Sequence, residues 1–137
     1  MKKNMNWLKE DYIAHRGLHT KDLSIPENTI SAFREAIKQG YSIEFDINIL
    51  SDGNIVVFHD HDLNRCFNTN KKLNDLSYAD IKDLRYESGD HIPLLSEVLD
   101  FIDARVNLLI ELKPLGDVNR LCSAFIDSIK AYKGNYA

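Results

Sequence analysis

The sequence contains few of the residues that mark special classes of protein: two cysteines, three prolines, six glycines and one tryptophan in 137 residues. Cys66 and Cys122 form neither a CxxC pair nor a disulfide framework, so we expect a reduced, cytoplasmic protein. Internal repeats, low-complexity tracts and Gly/Ser-rich linkers are also missing, which excludes a fibrous or linker-rich chain.

The sequence also lacks long apolar runs and a strong net charge. Its longest apolar runs, 55–58 and 108–110, are far too short to span a bilayer, and no apolar stretch follows the N-terminal lysines as in a signal peptide. Seventeen Lys and Arg against 21 Asp and Glu give a net charge of −4, which argues against a nucleic-acid groove. We therefore expect no membrane span and no nucleic-acid partner.

What the sequence does contain is a globular composition, with 44% hydrophobic and 28% charged residues. Its length allows one domain of ordinary size. The same length is only about half of the roughly 250 residues that a complete eight-stranded β/α barrel needs.

The spacing of apolar residues predicts strands that alternate with helices. Strand patterns cover 12–15, 41–50, 55–59 and 107–113, and helical patterns cover 78–84, 96–104 and 118–132. One further helix is capped by Asn28 or Thr29 and ended by Gly40. The last residues, 134–137, have the pattern of a turn that leads into another strand. Helices between core strands indicate parallel βαβ units and an α/β fold.

The dipeptide Asp52-Gly53 predicts a hairpin between the second and third strands. A turn centred between these two residues pairs positions whose numbers sum to 105. His59 would then lie across from Asp46, and Val57 across from Asn48. The sequence does not determine the turn type, which leaves a margin of one or two residues in the register.

Three carboxylates are expected at the carboxyl ends of the core strands: Glu44, Asp46 and Glu111. The strand 41–50 has one apolar face and one polar face, which is typical either of an edge strand with a solvated side or of an active-site strand. Close carboxylates stay ionised only if a cation compensates them. Lys113 or Arg16 could do so in part, and a divalent ion such as Mg²⁺ or Ca²⁺ could do so better.

Two histidines are expected beside these carboxylates, His15 at the end of the first strand and His59 after the hairpin. Imidazole titrates near neutral pH, which suits general acid and base catalysis. Arg16 and Lys113 add positive charge for an anionic substrate. A metal, two cations and two histidines together describe a site for phosphate-ester hydrolysis.

The combination of these motifs resembles the glycerophosphodiester phosphodiesterases, of the cytoplasmic bacterial type, over nearly the whole chain. The motifs that carry the resemblance are His15-Arg16-Gly17, Pro26-Glu27-Asn28-Thr29, Glu44-x-Asp46, Asp52-Gly53, Val57-x-His59-Asp60, Leu63-x-Arg65, Ile92-Pro93-x-Leu95 and Glu111-x-Lys113. The resemblance implies a TIM (β/α)8 barrel. Residues 1–137 would be a single partial barrel domain with about the first three β/α units and an insertion, 52–91, that contains the hairpin strand.

The resemblance also implies a role for each candidate residue. Metal binding falls to Glu44, Asp46 and Glu111, acid/base catalysis to His15 and His59, phosphate binding to Arg16 and Lys113, and loop support to Asn28. The implied reaction uses one divalent ion, Mg²⁺ or Ca²⁺, and cleaves a small-molecule glycerophosphodiester to an alcohol and glycerol 3-phosphate.

Two alternatives remain open at this point. One is an inactive fragment, or a partial barrel that folds only by self-association through its exposed barrel edges. The other is a related phospholipase that uses the same metal site on lipid substrates. The sequence leaves the head group, the choice of metal and the oligomeric state undetermined.

Overall fold

A computed structural model describes residues 4–137. The N-terminal lysines Lys2 and Lys3, after which we expect no signal-peptide stretch, lie outside the described residues. The elements in chain order are α1 (Trp7–Glu10), β1 (Ile13–His15), α2 (Ile30–Lys38), β2 (Ser42–Ile49), β3 (Ile55–Val57), α3 (Asn64–Phe67), a 3-10 helix (Leu73–Asp75), α4 (Tyr78–Ile81), α5 (Leu95–Ile102), β4 (Leu108–Leu112) and α6 (Val118–Ile129).

Strand β2 is the centre of a four-stranded sheet. It pairs in parallel with β1 and with β4, and antiparallel with β3. Beside β4, the backbone at Leu108 and Ile110 bonds with that of Asn135 and Ala137, so the C-terminal residues begin a further parallel strand, as the pattern of 134–137 predicted. The parallel pairs, each joined through a helix, confirm the α/β class.

Helices α2, α4 and α6 each begin after a residue whose side chain caps the first turn. The Thr29 hydroxyl accepts a hydrogen bond from the Ala32 backbone N–H, which selects Thr29 over Asn28 as the cap of α2. Ser77 and Asp80 form a capping box that starts α4. The short α1, α3 and 3-10 helices were not predicted, because three or four residues are too few to establish a helical period.

The larger apolar cluster, here called the sheet core, lies between one face of the sheet and helices α2, α5 and α6. Its members from β2 are the four odd-numbered residues Ile43, Phe45, Ile47 and Ile49. Phe33 of α2 packs on Phe45 with ring centroids 5.7 Å apart. Each fully buried side chain of this size contributes roughly 1.5–3 kcal/mol to folding. The odd face of β2 therefore anchors the sheet to its helices, and the even face is left for other contacts.

The hairpin register differs from the prediction by one residue. Val57 pairs with Ile47 rather than Asn48, and the Phe58 N–H donates to the Asp46 carbonyl, so paired numbers sum to 104. The cause is a loop of three residues, 51–53, with Gly53 in the left-handed region at φ 88°. In this register the odd-numbered, apolar residues of β2 and β3 lie opposite one another on the same face of the sheet.

The opposite face of the hairpin builds a second apolar cluster, here called the loop core. Leu50, Val56 and Phe58 pack with residues of the long segment that follows the hairpin. The buried members from that segment are Leu63, Leu73, Ile81 and Ile92. Strand β3 is thus buried on both faces, and the loop core fixes the backbone that leads from β3 to His59.

None of the helices formed by residues 4–137 has the length and apolar character needed to cross a membrane.

Candidate active site

The polar face of β2 is buried along its whole length. Ser42, Glu44, Asp46 and Asn48 are each at most 6% exposed. The strand lies between β1 and β4, so the interpretation of a solvated edge strand is wrong. Burying two carboxylates and an amide in a row is costly unless other groups compensate them, and such a face is typical of a functional site.

Three carboxylates converge at the carboxyl ends of β2 and β4. Glu44, Asp46 and Glu111 each place one carboxylate oxygen within 4.8 Å of the other two. The sheet produces this arrangement directly: Asp46 pairs with Glu111 in the parallel register, and Glu44 precedes Asp46 by two residues on the same face. The expected grouping of these three side chains is therefore present in the structure.

The electrostatics of Glu44 differ from those of Glu111. Burial, together with the charges of Asp46 and Glu111, raises the pKa of Glu44, although a hydrogen bond from the Arg16 N–H and the charge of His15 act against the rise. The hydrogen bond from Lys113 instead lowers the pKa of the exposed Glu111. The positive charge near Glu44, at the buried end of the cluster, therefore does not fully offset the negative charge of the carboxylates there.

Lys113 compensates the cluster only in part. Its Nζ lies 2.6 Å from Glu111 Oε1 and 3.5 Å from Asp46 Oδ1. Asp46 Oδ1 is buried and has no hydrogen-bond partner among the described residues. An unpartnered, buried carboxylate oxygen within a set of three oxygen donors fits a hard divalent cation such as Mg²⁺ or Ca²⁺.

Arg16 and Asn28 connect the loop after β1 to this cluster. The backbone N–H of Arg16 donates to Glu44 Oε2 at 2.9 Å, and its guanidinium Nε lies 3.6 Å from Asp46 Oδ2. Asn28 donates from its backbone N–H to the Arg16 carbonyl and from Nδ2 to Asp46 Oδ2 at 3.0 Å. At Gly17, with φ 77°, a Cβ would lie 2.7 Å from the Ala32 Cβ, so only glycine lets this turn pack on α2.

The two histidines lie at the border of the carboxylate cluster in different environments. His15 is 68% exposed in its side chain, and its Nε2 lies 3.9 Å from Glu44 Oε2. His59 follows β3 in a bend, and its charge contributes to the lowered pKa of Glu111. Its Nδ1 lies 2.6 Å from Asp60 Oδ1. Phe58, rather than His59, lies across from Asp46, so the predicted position of His59 is wrong by one residue, although its charge still acts on Glu111.

Sequence reasoning assigned no role to a second group of charges, which adjoins the site. Arg65 bridges two carboxylates: it donates to Asp60 at 2.9 and 3.0 Å, and from Nη2 to Glu27 Oε1 at 2.5 Å. Glu27 Oε1 also accepts a bond from Arg16 Nη1 at 3.1 Å. These residues belong to the quoted motifs, but only the fold brings position 27 to position 65.

The comparison with known proteins assigns the chain to a family. Residues 15–131 match the glycerophosphoryl diester phosphodiesterase family. The chain belongs to this family. This match confirms the family that the sequence motifs predicted.

Individual phosphodiesterases support the same assignment. A glycerophosphodiester phosphodiesterase of Caldanaerobacter subterraneus is 36% identical over 115 residues, which are 76% of this chain and 46% of the relative. The human lysophospholipase D is 30% identical over 128 residues, which cover 78% of this chain and 40% of that protein. The chain spans about half the length of the curated relatives it matches.

A solved phosphodiesterase structure extends the comparison to the fold. The Oleispira antarctica phosphodiesterase, in complex with the product sn-glycerol-3-phosphate, superposes with a TM-score of 0.82 at 27% identity. The match covers 92% of this chain and 55% of that one. Nearly all of the present α/β structure therefore recurs within a longer phosphodiesterase chain.

Proposed function

We propose that this chain carries the metal and acid/base groups of an enzyme that hydrolyses glycerophosphodiesters to an alcohol and glycerol 3-phosphate. The observation that carries the proposal is the convergence of Glu44, Asp46 and Glu111 beside two histidines, in a chain of the phosphodiesterase family. The enzyme we propose is of the cytoplasmic bacterial type, and its two free thiols are compatible with a reducing compartment.

We propose further that residues 1–137 are a single partial domain of a TIM (β/α)8 barrel, with about three β/α units and an insertion at 52–91. Three parallel strands, a fourth begun by the C-terminal residues and a match to half of longer relatives support this proposal. The free edge of β1 would then pair with the remaining barrel wall, supplied by a longer polypeptide or by self-association.

Glu44, Asp46 and Glu111 would hold one divalent ion, Mg²⁺ or Ca²⁺, through the unpartnered Asp46 Oδ1 and the neighbouring oxygens. The bound ion would polarise a phosphoryl oxygen of the substrate and offset negative charge there. Asn28 would keep Asp46 oriented through its bond to Oδ2 and keep the Arg16 loop in place.

The side chains of this chain would carry out substrate binding and proton transfer. Arg16 and Lys113 would attract the phosphodiester and hold its charged oxygens. One of the two histidines, His15 or His59, would accept the proton of the attacking hydroxyl, and the other would donate a proton to the leaving oxygen. The attacking group would be water or a glycerol hydroxyl of the substrate. Attack by the glycerol hydroxyl would expel the alcohol and give a cyclic phosphate, which water would then open to glycerol 3-phosphate.

The proposed substrate is a small, soluble glycerophosphodiester. The Oleispira antarctica enzyme, in complex with sn-glycerol-3-phosphate, supports a product of this class. A second candidate is a lysophospholipid, since the human relative is a lysophospholipase D. Both substrates present the same phosphodiester to the carboxylate cluster, and they differ in whether the glycerol carries an acyl chain.

The test joins residues 1–137 to the C-terminal half of the Caldanaerobacter enzyme. We expect this chimera to release glycerol 3-phosphate from glycerophosphocholine with Mg²⁺ or Ca²⁺, and we expect the 137-residue chain alone to show no appreciable hydrolysis. Preference for lysophosphatidylcholine would favour the second candidate. A folded, metal-binding chimera that cleaves neither substrate would contradict the proposed function, and hydrolysis by the chain alone would contradict the partial barrel.

A further inference from the structure

We propose that Asp60 is a positioning residue that fixes the His59 imidazole in the tautomer with its proton on Nδ1, leaving Nε2 as the nitrogen that exchanges a proton with substrate. The exchange of a proton with substrate rests on the proposed function. The tautomer of His59 follows from its contacts alone and can be measured without substrate.

The first support is the contact between the two side chains. His59 Nδ1 lies 2.6 Å from Asp60 Oδ1, a length typical of a strong hydrogen bond to a charged group. Among the described residues, His15 has no contact this short: its Nε2 lies 3.9 Å from Glu44 Oε2, beyond hydrogen-bond length. The two histidines are therefore held to very different degrees.

The second support is the charge state of Asp60. Arg65 donates from Nε to Asp60 Oδ2 at 2.9 Å and from Nη2 to Asp60 Oδ1 at 3.0 Å. The Arg65 hydrogen bonds first, and then the bond to His59, lower the pKa of Asp60 to about 2, although burial opposes the change. An ionised carboxylate can only accept hydrogen bonds, so the proton in the contact must reside on His59 Nδ1. A neutral imidazole has a single N–H, which leaves a lone pair on Nε2.

The third support is a backbone clamp around His59. The Asn48 side-chain amide donates to the Phe58 carbonyl at 2.7 Å and to the Asp60 carbonyl at 3.2 Å, on either side of the histidine. The Phe58 N–H in turn donates to the Asp46 carbonyl at 3.0 Å. Because the backbone is held on both sides, the remaining freedom of His59 is its side-chain rotation, which Asp60 restricts.

The fourth support is the continuation of the contacts beyond Asp60. Arg65 is itself held by Glu27 at 2.5 Å, and Glu27 accepts a bond from Arg16 at 3.1 Å. The orientation of His59 is thus connected through ionised side chains to the arginine proposed to bind phosphate. A purely structural Asp60–Arg65 pair would not require the contact with the imidazole, and this difference makes the two interpretations separable.

The test records long-range ¹H–¹⁵N spectra of the histidine-labelled 137-residue chain, about two units above the ordinary imidazole pKa of about 6.5. We expect His59 in the Nδ1–H form, whereas a free imidazole favours Nε2–H. Asp60→Asn should shift His59 towards the Nε2–H form, because an amide can donate as well as accept. Asp62→Asn is the matched control: Asp62 accepts from the Asn64 N–H, which an amide oxygen can also do, so no shift is expected.

An Nε2–H tautomer of His59 in the unsubstituted chain, folded alone or within the chimera, would overturn the proposal, and this measurement needs no variant to fold. An unchanged tautomer in a folded Asp60→Asn chain would overturn it as well. In the chimera, Asp60→Asn should lower kcat on the order of 100-fold with little change in KM. An inactive unsubstituted chimera whose His59 is in the expected tautomer would refute the proposed function alone.

Discussion

Two groups of charged side chains lie next to each other in this structure and differ in how their charges are balanced. In the carboxylate cluster of Glu44, Asp46 and Glu111, Lys113 and Arg16 approach from the sides, yet Asp46 Oδ1 accepts no hydrogen bond from residues 4–137. In the arginine bridge, made of Glu27, Arg65 and Asp60, every charged partner is matched at short distance.

The pKa values express the same contrast. Burial raises the pKa of Glu44, whereas the hydrogen bonds and charge of Arg65, joined by Arg16, overcome burial and lower the pKa of Glu27. The arginine bridge is therefore complete as it stands. The carboxylate cluster is suited to receive another cation, which is the physical basis for assigning it to a metal and the bridge to positioning.

The largest effect should follow removal of a ligand from the carboxylate cluster. Glu44→Gln or Glu111→Gln should abolish metal-dependent hydrolysis in the chimera and lower Mg²⁺ affinity by more than the 10- to 100-fold that is typical for residues behind a metal ligand. Isothermal titration calorimetry and a glycerol 3-phosphate assay measure the two quantities. Glu87→Gln, an exposed change of the same chemistry, is the control. Unchanged affinity and activity would contradict the metal assignment.

The next largest effect should separate chemistry from metal binding. His59→Ala should lower kcat of the chimera by about 10²- to 10⁴-fold, the range for loss of a general acid or base, while the calorimetric Mg²⁺ affinity stays unchanged. His91→Ala, which removes a histidine paired with Glu97 away from the cluster, should leave kcat unchanged. A parallel loss of metal affinity in His59→Ala would instead place His59 among the metal ligands.

The sequence predicts the carboxylate cluster far better than the arginine bridge. The alternation in β2 places Glu44 and Asp46 on one face, and the parallel pairing then brings Glu111 beside Asp46. The bridge joins Glu27 to Arg65, 38 residues apart, through a loop and a four-residue helix that have no period to recognise. Local patterns determine strands and faces, whereas contacts between irregular segments depend on the packing of the loop core.

The hairpin shows where local reasoning is limited even within regular structure. The Asp-Gly signal predicts a turn correctly but does not distinguish a two-residue loop from the three-residue loop that Gly53 closes at φ 88°. Requiring the apolar residues of both strands to share a face would have selected the observed pairing of Ile47 with Val57. Register is therefore better predicted from the faces than from the turn.

A smaller effect, on stability alone, should follow from breaking the arginine bridge. Arg65→Met leaves the partly buried Glu27 and Asp60 without their shared cation and should lower the free energy of unfolding by about 1–2 kcal/mol, less than for a fully buried pair. Urea unfolding at pH 7 measures the change. Arg85→Met is the control, because the exposed Arg85 donates to the carbonyls of Lys82 and Leu84 and forms no ion pair with another described residue. Equal stability of the two variants would contradict a stabilising bridge.

Acid should weaken the contribution of the arginine bridge. Glu27 and Asp60 have folded-state pKa values below their ordinary ones, so the bridge contributes fully above the unfolded pKa values of about 4 and loses its contribution as pH falls towards the folded pKa of Asp60, about 2. The stability difference between the unsubstituted chain and Arg65→Met should therefore be constant from pH 7 to about 5 and shrink below it. A difference that stays constant to pH 3 would show that the bridge is not electrostatic.

The smallest effect should have the opposite sign, and it arises in the carboxylate cluster. Because the folded-state pKa of Glu44 is raised, its ionised form destabilises the metal-free chain at pH 7, and this penalty disappears as pH falls through the folded pKa towards the unfolded value of about 4.3. In EDTA at pH 7, Glu44→Gln should therefore be more stable than the unsubstituted chain by less than about 1 kcal/mol, with the two converging in acid. Saturating Mg²⁺ should reverse the order, because only the unsubstituted chain gains the free energy of tight metal binding. Urea unfolding with and without Mg²⁺ measures both signs, and a Glu44→Gln chain that is less stable in EDTA would refute the account of an undercompensated cluster.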